Sequence, residues 1–297
     1  MLNGVVEIRF TIGFGNNLFQ YCFGRLLSEI HGLKLIHHAI PEMGIREKKA
    51  NDIPSLPIMI VNDANYKEIF YSQIPNCNII VNGYFEDYEL YKPFLSKIRK
   101  WFPRVEKTNN KDLILHMRLQ NRLVQLNHHK NHVLFDAYER GVEHFKFKKL
   151  YIVTDAKKWD FHTKEDIEEI QYEIRIGPNP TPAWVSTKVS IDYINKLIDG
   201  FSKYDPIVKC NGASVLQGSG GLRGNFLYDF NLIRSFDKIM FNNSTFSWWA
   251  AVLSDATRVS PFRPWKPAKN NCRNLGRTDY PGWFGWGLKE DLYYEKL

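Results

Sequence analysis

The sequence predicts an α/β protein made of two parallel-sheet domains, and three observations carry that prediction. Short β-prone apolar runs alternate with longer segments whose apolar residues recur at helical spacing, and they do so in both halves of the 297-residue chain. The first of these runs leads straight into a glycine-containing loop and a helix, the opening step of a Rossmann-like wind. A polar stretch from Glu106 to Lys111 interrupts the alternation and forms the best internal boundary. Domains of this kind face each other, and their ligands bind outside the carboxyl ends of the strands.

Residues 5–10 read as the first strand, followed by the loop Thr11-Ile12-Gly13-Phe14-Gly15-Asn16. Leu18, Phe19, Cys22, Phe23, Leu26, Leu27 and Ile30 then recur with a helical period. Residues 58–61 and 78–81 are expected as strands, and 88–101 as a helix carrying Leu90, Phe94, Leu95, Ile98 and Trp101. The second wind begins with a strand at 113–116, a helix at 133–145, a strand at 150–154 and a helix at 164–170. It continues with a strand at 172–176, a Pro-rich loop at 178–182 and a helix at 190–201. Lys238-Ile239-Met240-Phe241 reads as a buried strand, and Ala250, Ala251 and Leu253 favour helix after it. The wind leads on to Arg258-Val259-Ser260-Pro261.

Composition narrows the function classes. Apolar content of 44% is that of a globular chain. No stretch approaches the about 20 continuous apolar residues that span a bilayer, and the first residues are too soon charged for a signal peptide. The expectation is a soluble, cytoplasmic protein with no membrane span. Cys22, Cys77, Cys210 and Cys272 are far apart with no CxxC, which argues against a zinc knuckle or a disulfide framework. His128, His129 and His132 cluster in a polar loop with Asp136 as the one nearby carboxylate, a poor metal set. The net charge of +8 suits an anionic partner. The lysines are scattered rather than gathered into a basic helix or tail, so no nucleic-acid partner is expected.

Four segments at expected strand ends carry chemistry. Asn242-Asn243-Ser244-Thr245-Phe246-Ser247-Trp248-Trp249 lies at a strand-to-helix junction, where hydroxyls and free backbone N–H groups suit an anion. The same string also reads as an ordinary N-cap ahead of a tryptophan-rich core helix. In the Gly13–Asn17 segment, Gly15 lets backbone approach a phosphate or sugar closely, and Asn16 can donate and accept hydrogen bonds; a tight turn with an Asn cap uses the same residues. His116 and Arg118, two apart at a strand end, offer a ring nitrogen and a planar fork suited to phosphate. A buried histidine beside a salt-bridged arginine is the alternative. Val153-Thr154-Asp155 ends another strand in a hydroxyl and a carboxylate, or in an Asx turn. Asp229, at a helix start, can accept the N1–H and N2 amino protons of guanine, or can simply cap the helix. The preceding glycine-rich loop, 217–224, lacks the dinucleotide fingerprint.

Taken together and in this order, the segments resemble the α-1,2-fucosyltransferases of glycosyltransferase family 11 and, more distantly, the α-1,6- and protein O-fucosyltransferases. The family's G-G-L-G-N-Q-L-F-Q-Y corresponds to Ile12-Gly13-Phe14-Gly15-Asn16-Asn17-Leu18-Phe19-Gln20-Tyr21, and its G-Y-F-Q to Gly83-Tyr84-Phe85-Glu86. Its S-S-F-S-W-W-A-A matches residues 244–251 with one Ser/Thr exchange, and Asp229 stands 15 residues before Ser244, as the guanine-reading aspartate does in related enzymes. The family's H-x-R-R-x-D appears as His116-Met117-Arg118-Leu119-Gln120-Asn121, which keeps the leading His and Arg and loses the second Arg and the acid.

The resemblance implies a GT-B architecture, two Rossmann-like domains facing across a cleft. Residues 1–107 are expected on the acceptor side, 108–260 as the GDP-sugar-binding domain, and 261–297 as a segment packing back on the first domain. It implies an inverting fucosyltransferase that takes GDP-β-L-fucose as donor and an oligosaccharide or glycan as acceptor, with no cofactor and no metal. Donor contacts fall to Gly15, Asn16, His116, Arg118, Asp229, Ser244, Thr245 and Phe246, with Arg118 on the β-phosphate. Asn121 cannot be a base, so Glu86 or its neighbour Asp87 is the expected replacement; both acids also suit the start of a helix at Tyr88. Transfer of another GDP-linked sugar, or a non-catalytic sugar- or nucleotide-binding module, remain as alternative functions.

Overall fold

The computed structural model describes residues 4–11, 13–50, 52–117, 135–154, 198–209, 226–241 and 244–261. They form two compact units that divide between Arg104 and Val105. Each unit is built on one parallel sheet flanked by helices, so the α/β class predicted from alternation is the class observed.

In the first unit β1 (Val5–Ile8), β2 (Lys34–His37), β3 (Ile58–Val61) and β4 (Asn78–Val81) pair in the order β2-β1-β4-β3, all parallel. Helix α1 (Phe14–His31) makes the β1-to-β2 crossover. It forms because Leu18, Phe19, Cys22, Phe23, Leu26 and Leu27 fall on one stripe, each at most 1% exposed. Gly32 ends it in the left-handed conformation at φ 66°, with its N–H on the Ser28 carbonyl.

Gly24 sets how closely α1 lies on the sheet. A Cβ there would stand 2.5 Å from Ile8 Cγ1 and 2.6 Å from its Cδ1. Gly24→Ala is therefore expected to destabilise the protein by about 1–3 kcal/mol through overpacking. The check is a double-mutant cycle in denaturant: Ile8→Ala removes both contacting atoms, so the two losses should fall short of additivity. Additive losses would mean that the contact does not set the spacing.

Further along, α2 (Tyr66–Tyr71) follows β3, while α3 (Tyr88–Tyr91) and α4 (Leu95–Arg99) follow β4. The expected continuous helix at 88–101 is broken by a 3₁₀ turn, Lys92–Phe94, with Pro93 in its first turn. Proline lacks the N–H that an α-helix interior requires and disfavours helix at the residue before it.

In the second unit β5 (Asn109–Met117), β6 (Leu150–Thr154), β7 (Ile207–Lys209), β8 (Phe236–Phe241) and β9 (Arg258–Pro261) pair in the order β7-β6-β5-β8-β9, again all parallel. Leu113, Ile114, Leu115, Leu150, Ile152, Ile239, Met240 and Val259 are all 0% exposed, the near-continuous apolar runs of strands buried on both faces. Helices α5 (Phe135–Glu143), α6 (Phe226–Arg234) and α7 (Thr245–Val252) complete the described part. Arg234 of α6 donates through Nε and Nη2 to the Leu253 carbonyl, 3.3 Å each, and so caps the end of α7. Burial pushes its pKa down to about 10 against the opposing pull of Asp255, which leaves it charged at neutral pH.

β5 begins earlier than the predicted strand, inside the polar stretch read as a boundary. Those polar residues are satisfied at a register shift between Asn109 and Leu113: Asn109 donates to Asp112 at 2.8 Å, and Lys238 donates to the carbonyls of Asn110 and Lys111. The predicted elements at 164–170, 172–176 and 178–182 lie outside the described residues, as do most of the helix at 190–201 and the segment from 262 onward.

Candidate functional site

In the second unit the chain runs from β5 outward through β6 to β7, then returns to place β8 and β9 on the other side of β5. The crevice at such a reversal, outside the carboxyl ends of the strands, is where open α/β sheets bind ligands. His116 lies at that end of β5, in register with Phe241, which closes β8. Three residues on, Ser244 is the N-cap of α7, with extended backbone at φ −139° and ψ 123°.

The Ser247 hydroxyl, in the first turn of α7, meets His116 Nδ1 at 2.5 Å. The Phe246 ring packs against the His116 ring at 5.6 Å and against Phe230 at 5.2 Å. That second contact joins α6 to the same edge of the unit, and α6 carries Asp229, 4% exposed. Asp229 sits inside the first helical turn. Ser244 Oγ is buried, 1% exposed for the residue, with no hydrogen-bond partner among the described residues. A hydroxyl in that condition is costly unless something arrives to bond it. The start of a helix also presents backbone N–H donors and the positive end of its dipole, so the arrangement suits an anion.

His116, Ser244, Thr245, Phe246 and Asp229 thus share one edge of one unit. Arg118 follows β5 directly in sequence and lies outside the described residues, as do Asn121, Asp155, the three clustered histidines and the loop at 217–224.

The other predicted residues cluster in the first unit, again at a switch point. β1 and β4 are neighbours with Ile8 opposite Val81; the helix that follows β1 carries Gly15 and Asn16, and the loop that follows β4 carries Glu86. The helix starts earlier than expected, so Gly15 and Asn16 lie in the first turn of α1 and not in a loop. The position that needs glycine is Gly13, the N-cap, at φ 102°.

Gln20, 0% exposed, ties the two loops together. Its Oε1 accepts from the Thr11 N–H at 3.0 Å, and its Nε2 donates to the Gly83 carbonyl at 2.9 Å. Asp63 accepts from the Tyr84 and Phe85 N–H groups, the latter at 2.7 Å, and Tyr91 donates to the Phe85 carbonyl at 2.9 Å. Burial holds the Tyr91 phenol well above its ordinary pKa, so it stays a donor. These bonds hold Phe85 at φ 53°, an uncommon conformation for a bulky residue, with its ring stacked on Phe23 at 4.0 Å.

Glu86 is next in this pinned loop, 3% exposed. Asp87 is committed to structure: Oδ1 accepts from the Glu89 N–H as the cap of α3, and Oδ2 accepts from Tyr66 Oη and Lys67 Nζ, 2.8 Å each. Of the two acids considered for proton transfer, Asp87 is the helix cap.

Sequence reasoning did not single out Gln20 or Asp63, and it placed the Ser247 hydroxyl at the helix start without its bond to His116. For Gln20 and Ser247 a signal existed, since each is a polar residue set inside an apolar helical run and therefore in need of a distant partner.

No protein-family model and no curated protein matches the chain. The solved structures similar to it include the following two. One is a mutant of Arabidopsis thaliana FUT1 in complex with GDP, 12% identical with a TM-score of 0.46, covering 91% of this chain and 73% of that one. The other is NodZ α-1,6-fucosyltransferase soaked with GDP-fucose, 12% identical with a TM-score of 0.45, covering 90% and 97%. Among the described residues no helix is long and apolar enough to cross a membrane. Nor do three or more His, Cys, Asp or Glu side chains group there as metal ligands.

Proposed function

We propose that the chain is an inverting glycosyltransferase that moves L-fucose from GDP-β-L-fucose to a hydroxyl of a glycan acceptor, α-1,2 to a galactose-like residue. The observation that carries this reading is the meeting of His116, at the carboxyl end of β5, with Phe246 and Ser247 in the first turn of α7, the helix that Ser244 caps and Thr245 opens after β8. Those residues belong to the strings by which the sequence resembles family 11. Ser244 Oγ, buried there among the donors at the start of α7, fits an acceptor-rich anion such as a diphosphate.

In this reaction the acceptor oxygen attacks C1 of the fucose on the face opposite the nucleotide. The C1–O bond to the β-phosphate breaks, and GDP leaves with the electron pair. Arg118 and the donors at the start of α7 take up the growing charge, while His116 holds the nucleotide and Asp229 accepts the guanine protons. Gly15 and Asn16, in the first turn of α1, complete the donor contacts. The acceptor hydroxyl must shed its proton, and Glu86 receives it.

The test is a screen of GDP-sugars against glycan acceptors, with the product linkage read by NMR. Transfer of fucose from GDP-fucose supports the reading. Turnover with a different GDP-sugar alone, or GDP binding with no turnover, selects the alternatives. Full turnover is expected after exhaustive chelation, and strict dependence on manganese or magnesium would overturn the metal-free reading.

Glu86→Gln tests the base, because it removes the charge, keeps the shape and restores the residue of the family motif. A fall in turnover of about 10²-fold with GDP affinity unchanged is expected. Unchanged turnover would leave Glu86 as part of the pinned loop and nothing more.

A further inference from the structure

Ser247 has no part in the reaction above, yet its hydroxyl ties α7 to β5. It lies between Phe246 and Trp248 and is 0% exposed. Its hydroxyl reaches His116 Nδ1, a residue 131 positions away in sequence. Phe246, one residue earlier, packs on the same imidazole. One helical turn therefore fixes the ring both by a hydrogen bond and by a ring contact.

We propose that Ser247 is a positioning residue that sets the tautomer of His116: its hydroxyl donates to Nδ1, and the ring proton sits on Nε2. A neutral imidazole has one donor and one acceptor nitrogen, and the bond made by one decides the role of the other. With Nδ1 accepting from Ser247, Nε2 is a hydrogen-bond donor. A diphosphate offers acceptor oxygens only, so an Nε2–H attracts it where an Nε2 lone pair would repel it. The Ser247 hydroxyl thereby presents the histidine to a phosphate or ribose oxygen in the useful form, without touching the ligand. This last step rests on the nucleotide-sugar reading. The tautomer itself does not, and it can be read in the ligand-free protein.

The experiment uses the full chain with ¹⁵N-labelled histidine. Imidazole nitrogen shifts are recorded for the wild type, Ser247→Ala and Ser247→Thr, and the His116 signals are identified by their loss in His116→Asn. GDP affinity is measured by calorimetry on the same samples. His116 of the wild type is expected in the Nε2–H form, and Ser247→Thr, which keeps the hydroxyl, should retain it. Ser247→Ala should shift the ring toward the Nδ1–H form and weaken GDP about tenfold, the scale of one lost buried hydrogen bond. A wild-type ring carrying its proton on Nδ1, or on both nitrogens at neutral pH, overturns the proposal. So does a tautomer that Ser247→Ala leaves unchanged. Should Ser247→Ala fail to fold, the wild-type and Ser247→Thr spectra still decide. A tautomer that follows the hydroxyl in a protein that binds no GDP overturns the nucleotide-sugar reading and leaves the role of Ser247 standing.

Discussion

Arg118→Ala is expected to lower fucose transfer by about 10²–10³-fold, the usual loss when one preorganised charge-stabilising donor is removed. The guanidinium is needed most as the C1–O bond breaks and charge gathers on the β-phosphate, so turnover should fall further than GDP affinity. Its position supports this weight: Arg118 follows Met117, the last residue of β5, and stands two residues from His116, which α7 holds in place. Arg118→Lys should recover little, because an ammonium does not reproduce the bidentate fork. The measurement is single-turnover transfer alongside calorimetry with GDP. Retention of more than about a tenth of wild-type turnover, a gap under about 1.4 kcal/mol, would remove Arg118 from the phosphate role.

Trp249→Ala should destabilise the protein by about 3–5 kcal/mol, the range for truncating a buried aromatic side chain. Trp248 and Trp249 are both 0% exposed, and their rings meet edge to face at 5.0 Å and 88°. The sequence allowed two readings of this segment, an anion-binding helix start or an N-cap before a core helix. In the structure Ser244 takes the N-cap position, Thr245 and Ser247 place hydroxyls in the first turn, and both indoles lie in the core. Chemical denaturation should show the loss, and GDP should still bind wherever the variant remains folded. A loss under about 1 kcal/mol with GDP binding abolished would instead make Trp249 part of the site.

The alternation of strands and helices was legible because parallel strands buried on both faces leave uninterrupted apolar runs. β4 and β6 begin and end where those runs do, and β3 matches its apolar run although Ile58 and Ile60 are exposed. β2 was missed because Lys34-Leu35-Ile36-His37 grades from exposed to buried without the alternation of a half-buried strand. The six-residue α2 is too short to show a helical period. The polar start of β5 looked like a linker, since Asn109 and Asp112 bond each other along the chain, while the Asn110 and Lys111 carbonyls accept from Lys238 on the neighbouring strand.

The candidate site divides along the same line. Ser244, Thr245, Phe246 and His116 were readable because strand ends and helix starts advertise themselves locally. Gln20 and Ser247 act on residues 63 and 131 positions away, and a hydrogen bond over that separation leaves no periodic trace. Asp87 and Glu86 were indistinguishable as neighbouring acids until the Tyr66 hydroxyl and Lys67 ammonium claimed one of them.

The Gln20 amide has a consequence of its own. It holds the Thr11 N–H with one end and the Gly83 carbonyl with the other, so the loops after β1 and β4 share a single fastener. Any displacement of the Gly83 loop strains the amide that anchors Thr11, and the reverse is equally true. The two rims of this switch point are therefore thermodynamically linked: whatever steadies one lowers the free energy of ordering the other, by the same amount in both directions. Under the proposed function, a donor settling against the start of α1 and an acceptor settling beside Glu86 would each find its place better prepared when the other has already arrived.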